Sequence, residues 1–207
     1  MKITHFGHAC LLVETGGARL LFDPGTDSSG FETLRDLSAI LITHEHDDHV
    51  DYAKLPALIV QNPGAQLIAD RDTAAKLDGA RAVEPGDIVD VGGVSIRVVG
   101  GAHEPVYASI PDCTNAAYVV GDGEFYHPGD SFFVPYVSVG VLALPIGGPW
   151  LRVRDAVDFL RAVSPRIAVP MHEAALAHPA QNIGMMGAFG PETTEVVALD
   201  RGIAREL

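Results

Sequence analysis

The sequence predicts an α/β protein whose strands form a two-layered sandwich with a functional site along one edge. Three observations point there. The chain falls into two β-rich halves, each half ends a buried strand on a histidine, and helix-like segments interrupt the strands in an α/β rhythm.

The opening stretch reads as an antiparallel meander: residues 3–6, 10–13 and 19–22 have strand character, and Gly16-Gly17 turns the last pair. After Asp23-Pro24-Gly25 and a polar loop comes the apolar run Ala39-Ile40-Leu41-Ile42, a buried strand that leads into a histidine cluster. Between residues 57 and 100, short β-rich pieces (58–60, 67–69, 88–91 and 94–99) surround one helix near 72–77. The second half repeats the rhythm with strands at 116–120, 125–127 and 141–144. Its amphipathic helix over 152–163 sets Val153, Ala156, Val157 and Leu160 at helical spacing and is stopped by Pro165. A strand at 167–169 then delivers Met171-His172.

A length of 207 residues with 47% hydrophobic content supports one domain over 1–207 with a substantial core. The two cysteines, Cys10 and Cys113, form neither a disulfide framework nor a metal-ligand spacing, in keeping with a reducing cytoplasm. The N-terminus enters strand-like alternation directly, without a secretory signal, and no apolar stretch approaches the roughly 20 residues that span a bilayer. A soluble, cytoplasmic protein without a membrane partner is expected. The formal charge of -13, with only 14 Lys and Arg, opposes a polyanion surface, so nucleic acid is excluded as a partner and a small-molecule substrate is expected. A homo-oligomer is left open.

The chemistry concentrates in His44-Glu45-His46-Asp47-Asp48-His49. In an extended segment residues i and i+2 point the same way, so His44 and His46 project together toward one cation. Asp48 and His49 are adjacent and diverge, so if both are ligands the chain turns sharply there and can feed a second cation. Three histidines and a carboxylate suit Zn²⁺, with Fe²⁺ and Mn²⁺ as competitors.

The segment resembles the signature His-x-His-x-Asp-His of the metallo-β-lactamase superfamily, matched at His44, His46, Asp48 and His49. Five further stretches are similar to the small metal-dependent hydrolase branch near the ascorbate-phosphate lactonases: Gly7-His8-Ala9-Cys10, Leu21-Phe22-Asp23-Pro24, Tyr126-His127-Pro128-Gly129-Asp130-Ser131, Leu144-Pro145-Ile146-Gly147-Gly148 and Val169-Pro170-Met171-His172. The resemblance covers residues 1 to about 172 and implies a four-layered αββα sandwich with the site at one edge of the two sheets.

The resemblance also implies a dinuclear centre with two divalent metal ions. His44, His46 and His103 would hold the first ion, Asp48, His49 and His172 the second, and Asp130 would span both. Asp48, Asp130 and His8 are read as catalytic, His8 as a hydrogen-bond donor or general acid. Two such cations share a bridging hydroxide at neutral pH, because coordination lowers the pKa of water to roughly 7. Less two aspartates and one hydroxide, the core keeps a charge near +1, so an anionic substrate is not excluded by the overall -13.

Hydrolysis of an ester, lactone or phosphodiester in a small metabolite is therefore the expected reaction. The alternatives are an iron-dependent redox enzyme of the same fold, of the sulfur dioxygenase type, and a β-lactamase or thioesterase. Among supporting residues, Asp23 is either a partner for a ligand histidine's second N–H or a turn former. His127 is a second layer of the site, His5 and His178 are structural or surface residues, and Glu173 orients a ligand or is solvated. Gly147-Gly148-Pro149-Trp150 is a turn, its tryptophan an aromatic wall or core. Residues 178–190 are glycine-rich and apolar, a flap or a surface for a neighbouring subunit.

Overall fold

In the computed structural model, which describes residues 1–110 and 113–207, the first half builds one mixed sheet. Strands β1 (Lys2–Gly7), β2 (Cys10–Thr15) and β3 (Ala18–Phe22) run antiparallel; β4 (Ala39–Ile42) then pairs parallel with β3. Helix α1 (Leu55–Gln61), strand β5 (Gln66–Asp70), the single-turn helix α2 (Arg71–Ala74) and strand β6 (Arg81–Val83) extend it in parallel register.

The second half builds the facing sheet from β7 (Ile88–Val91), β8 (Val94–Ala102), β9 (Thr114–Val120) and β10 (Phe125–His127), all antiparallel. Strand β11 (Val141–Pro145), helix α3 (Val153–Val163), strand β12 (Ile167–Met171), helix α4 (Pro179–Phe189) and strand β13 (Glu195–Val196) follow, with the strands parallel. The short β14 (Arg205–Glu206) returns to the first sheet beside β1.

Strand periodicity accounts for the layering. Along β2 and β3 the residues Leu11, Val13, Leu20 and Phe22 point inward to meet Ile96, Val98, Tyr118, Val120 and Phe125 of the other sheet. Their alternates Leu12 and Leu21, with Ile40 and Ile42, point outward under Leu55 and Leu58 of α1. On the far side Val119, Tyr126, Leu142 and Leu144 lie under Ala156, Phe159 and Leu160 of α3 and Met186 of α4. The result is the αββα sandwich, and strands such as β4 are apolar throughout because both faces are covered.

Residues 58–60, expected as a strand, belong instead to α1. Pro56 sits in the helix's first turn, Leu55 and Leu58 are buried at i and i+3, and Val60 is 79% exposed, a one-sided pattern that a short apolar run does not reveal by itself. The helix expected near 72–77 starts earlier and is a single turn: the Asp70 carboxylate accepts from the main-chain N–H groups of Asp72 and Thr73. Within residues 178–190, Pro179–Phe189 form α4, packed on α3 through buried Met186, with Met185 and Phe189 exposed. Strands β6, β13 and β14, two or three residues each, carry no alternation from which to predict them. Among the described residues no helix is long and apolar enough to cross a membrane.

Candidate metal centre

Six strands end, or turn, at the same edge of the sandwich and each supplies a polar side chain there. His8 follows β1, Asp23 follows β3, His44 to His49 follow β4, His103 follows β8, Asp130 follows β10 and His172 follows β12. His8, Asp23 and His172 sit at φ of 54, 43 and 65°, a left-handed conformation that costs a non-glycine residue about 1–3 kcal/mol and is retained where a site requires it.

The structure brings His44, His46 and His103 together, with one ring nitrogen from each lying within 4.8 Å of the others. His44 Nε2 and His46 Nδ1 face one another at 3.0 Å. The protons on two of these rings can be placed from their neighbours. The Thr43 hydroxyl donates to Asp23 Oδ2 (2.8 Å), so at 3.0 Å it accepts from His44 Nδ1 and leaves His44 Nε2 bare. His103 Nδ1 donates to the carbonyl of Glu104, and its Nε2, buried, has no hydrogen-bond partner.

A second group gathers His8, Asp48, His49 and His172 on the same 4.8 Å criterion. Here His49 Nδ1 donates to Asp23 Oδ2 at 2.8 Å, which turns Nε2 inward. Asp130 lies between the groups: Oδ1 is 3.1 Å from His49 Nε2, and Oδ2 is 3.1 Å from His172 Nε2 and 3.4 Å from His103 Nε2. His49 Nε2, His103 Nε2, His172 Nε2 and Asp130 Oδ1 are all buried without a hydrogen-bond partner. Buried polar atoms are normally paired, so four converging orphans fit divalent cations.

Electrostatics agree with that fit. Burial holds the His44 imidazolium unfavourable and pushes its pKa well below 6.5, so the ring is a neutral donor at pH 7. Asp130 is buried, which alone would raise its pKa, yet His49 and His172 hold its carboxyl well below the ordinary 3.8. Burial disfavours a charged His49 too, but the carboxylates of Asp130 and Asp23 on either side outweigh this and carry its pKa well above 6.5.

The comparisons place this geometry in a family. The model of the beta-lactamase superfamily domain matches residues 2–172. This chain belongs to the metallo-β-lactamase superfamily. Protein Rv0786c of Mycobacterium tuberculosis is similar to it at 50% identity over 188 residues, covering 88% of this chain and 89% of that one. A UPF0173 metal-dependent hydrolase of Aeropyrum pernix is similar at 29% over 206 residues, covering 83% and 81%. The solved structure of Igni18, a metallo hydrolase of Ignicoccus hospitalis, shares the fold with a TM-score of 0.74 at 22% identity over 100% of this chain and 98% of that one. The chain is a metal-dependent hydrolase of this superfamily.

Around the two His/Asp groups stands a supporting layer that the sequence disclosed only in part. Asp23 accepts from Thr43 N (2.8 Å), the Thr43 hydroxyl and His49, so it orients a histidine and also anchors the loop. Trp150, read as a wall or core residue, donates its indole N–H to Asp130 Oδ2 at 2.7 Å. Asn115 was not singled out; its Oδ1 accepts from Asp130 N (3.1 Å) and its amide donates to the Pro128 carbonyl (2.9 Å). The nearest signal is its place one residue before the strand pattern at 116–120, in the strand that begins at Thr114. Gly129, at φ 61°, has no room for a Cβ, which would lie 2.2 Å from Asn115 Oδ1. Of the other histidines, His127 is buried, bonded to the Ala9 carbonyl and stacked on Phe22, His5 is buried against the His8 turn, and His178 is exposed at the start of α4.

Proposed function

We propose that the centre holds two divalent ions, zinc in the first instance, and hydrolyses an ester, lactone or phosphodiester in a small anionic metabolite. The observation that carries this reading is the pair of donor groups, His44, His46 and His103 in one and Asp48, His49 and His172 in the other, with Asp130 facing both, which together offer more donors than one tetrahedral ion takes. His44, His46 and His103 would hold one ion, Asp48, His49 and His172 the other, with Asp130 between them. Bound ions of this kind supply a water acidified to a pKa near 7 and polarise a carbonyl or phosphoryl oxygen.

The chain's own residues set the rest of the chemistry. Asp23 and the Thr43 hydroxyl fix the ring tautomers of His49 and His44, Trp150 orients the Asp130 carboxylate, and Asn115 holds the Asp130 main-chain N–H. Substrate reaches the centre from the side of His46 and Asp48, because His44, His49, His103, Asp130 and His172 are buried while His46 is exposed and Asp48 half-buried. A narrow cleft lined by His46, His103, Glu104, Val106, Ile110 and Cys113 opens beside it and gives that side a partly apolar wall.

Elemental analysis of the purified protein, paired with a screen of lactones, bis(p-nitrophenyl) phosphate and thioesters, tests the proposal. Two equivalents of zinc or manganese and hydrolysis that is lost in His46→Ala and Asp130→Ala are expected. Two equivalents of iron with turnover that consumes O₂ would replace the hydrolytic reading with the redox one.

A further inference from the structure

The turn between β1 and β2 brings one residue more into the centre than the ligand signature assigns. His8 is buried at φ 54°, and three contacts hold it in that left-handed conformation. Its N–H donates to Glu173 Oε1 (3.0 Å), and its carbonyl accepts from His172 N (3.0 Å) and His5 Nε2 (2.9 Å). Glu173 is itself held by Arg201, whose Nη2 lies 3.1 Å from Oε1. The constraint aims the imidazole at the second ligand group. The His8 ring centroid is 3.8 Å from that of His172, and His8 Nε2 is 3.0 Å from Asp48 Oδ2. That same oxygen lies 3.6 Å from His172 Nε2 and 3.9 Å from His49 Nε2.

We propose that His8 is a further protein ligand of the ion held by Asp48, His49 and His172. This rests on the reading of a metal centre given above. A proton donor to a leaving group has to meet substrate on the solvent side, yet His8 is 1% exposed and its ring is gathered with Asp48, His49 and His172. With Asp130 between the ions and counted equally for both, this ion has one protein ligand more than the ion on His44, His46 and His103. The two ions are then unequal. The one on His8, Asp48, His49 and His172 would be the more firmly retained, and the one on His44, His46 and His103, with fewer protein ligands and beside the exposed His46, would be the more exchangeable.

The test uses the full chain with its histidine rings labelled with ¹⁵N and loaded with ¹¹³Cd. A one-bond ¹¹³Cd–¹⁵N coupling is expected on the His8 ring, assigned through that residue's own Hβ. In parallel, His8→Gly relaxes the left-handed turn while deleting the ring. It is expected to hold one cadmium as tightly as the wild type and the other at least about 10–100-fold more weakly, with affinity restored by added imidazole. A His8 ring without coupling to cadmium, or a variant that binds every ion as tightly as the wild type, overturns the assignment. Uptake of a single cadmium by the wild type would refute the two-ion reading instead, and the same spectrum would still decide whether His8 binds that ion.

Discussion

Trp150 donates its indole N–H to Asp130 Oδ2 at 2.7 Å, and that oxygen also lies within reach of His103 and His172. One carboxylate thus faces imidazoles from both ligand groups, and its orientation depends on a side chain that cannot itself bind a metal. Indole nitrogen is a donor only, so the contact favours the ionised carboxylate and fixes which oxygen turns toward the cluster. Phe132 and His103 pack edge-on against the same indole and leave it little freedom.

Trp150→Phe should therefore fold and lose function. Phenylalanine fills most of the indole's space without a donor. Losing such an outer contact costs on the order of 10–100-fold in metal affinity or activity. Chelator competition on the purified variant, alongside turnover, measures both. A variant with unchanged metal affinity and unchanged turnover would mean that packing alone holds Asp130.

Asp23→Asn separates charge from shape at the opposite side of the centre. The amide keeps one oxygen for Thr43 or for His49 Nδ1 but cannot accept from all three donors that Asp23 now serves. The expected outcome is again a loss of about 10–100-fold in metal affinity, with the far-ultraviolet circular dichroism of the folded protein retained. Restoration in Asp23→Glu would not be expected, because the Asp23-Pro24-Gly25 loop is locked against the ligand loop. A Cβ on Gly25 would lie 1.8 Å from the Asp48 carbonyl, and Asp51 N donates to the Pro24 carbonyl at 2.9 Å.

These two partners mark the boundary of what sequence could disclose. Strand ends leading to His44, Asp130 and His172 were readable because β4, β10 and β12 are apolar runs with abrupt polar ends, and burial on both faces demands that composition, whereas His103 follows the alternating β8 and rests on the family resemblance. The Trp150–Asp130 bond was not readable. It joins residues 20 apart through side-chain directions that no periodicity encodes. The placement of 58–60 in α1 was hidden for a related reason, since four or five apolar residues serve a helix or a strand equally and only the burial of Leu55 and Leu58 decides. Asp23 lay between two readings in sequence, and in space it takes both, closing a turn and bonding His49.

The metal-free protein should lose stability on mild acidification. His8, His44 and His127 are pushed below 6.5, first by burial, so each stays neutral in the folded state while its unfolded counterpart takes up a proton as pH falls through 6.5. His49 has its pKa raised, so its contribution still grows as pH falls from 7 through 6.5 and offsets one of these three losses. Asp48 and Asp130 are depressed and matter only lower, as pH falls past 3.8. The melting temperature of chelator-treated protein should fall between about pH 7 and 5 by more than that of the metal-loaded form at pH 7 and above. A flat profile across that window would mean that these rings become protonated in the fold without strain.

Gly7→Ala probes the C-terminal strap over the His8 turn. Gly7 stands at φ 101°, where any side chain is strained, and a Cβ there would come 2.5 Å from the guanidinium carbon of Arg201. The guanidinium can swing away, but doing so removes it from Glu173 Oε1, the acceptor that holds the His8 N–H. Alanine at positive φ costs more than about 1 kcal/mol, so a lowered melting temperature is expected from the backbone alone. The strap adds a second effect. Arg201→Ala leaves the backbone of Gly7 relaxed, and if Arg201 and Glu173 matter to the turn, the double variant should lose less activity than the two single losses multiplied. Fully multiplicative losses would show that Arg201 and Gly7 act on the centre independently.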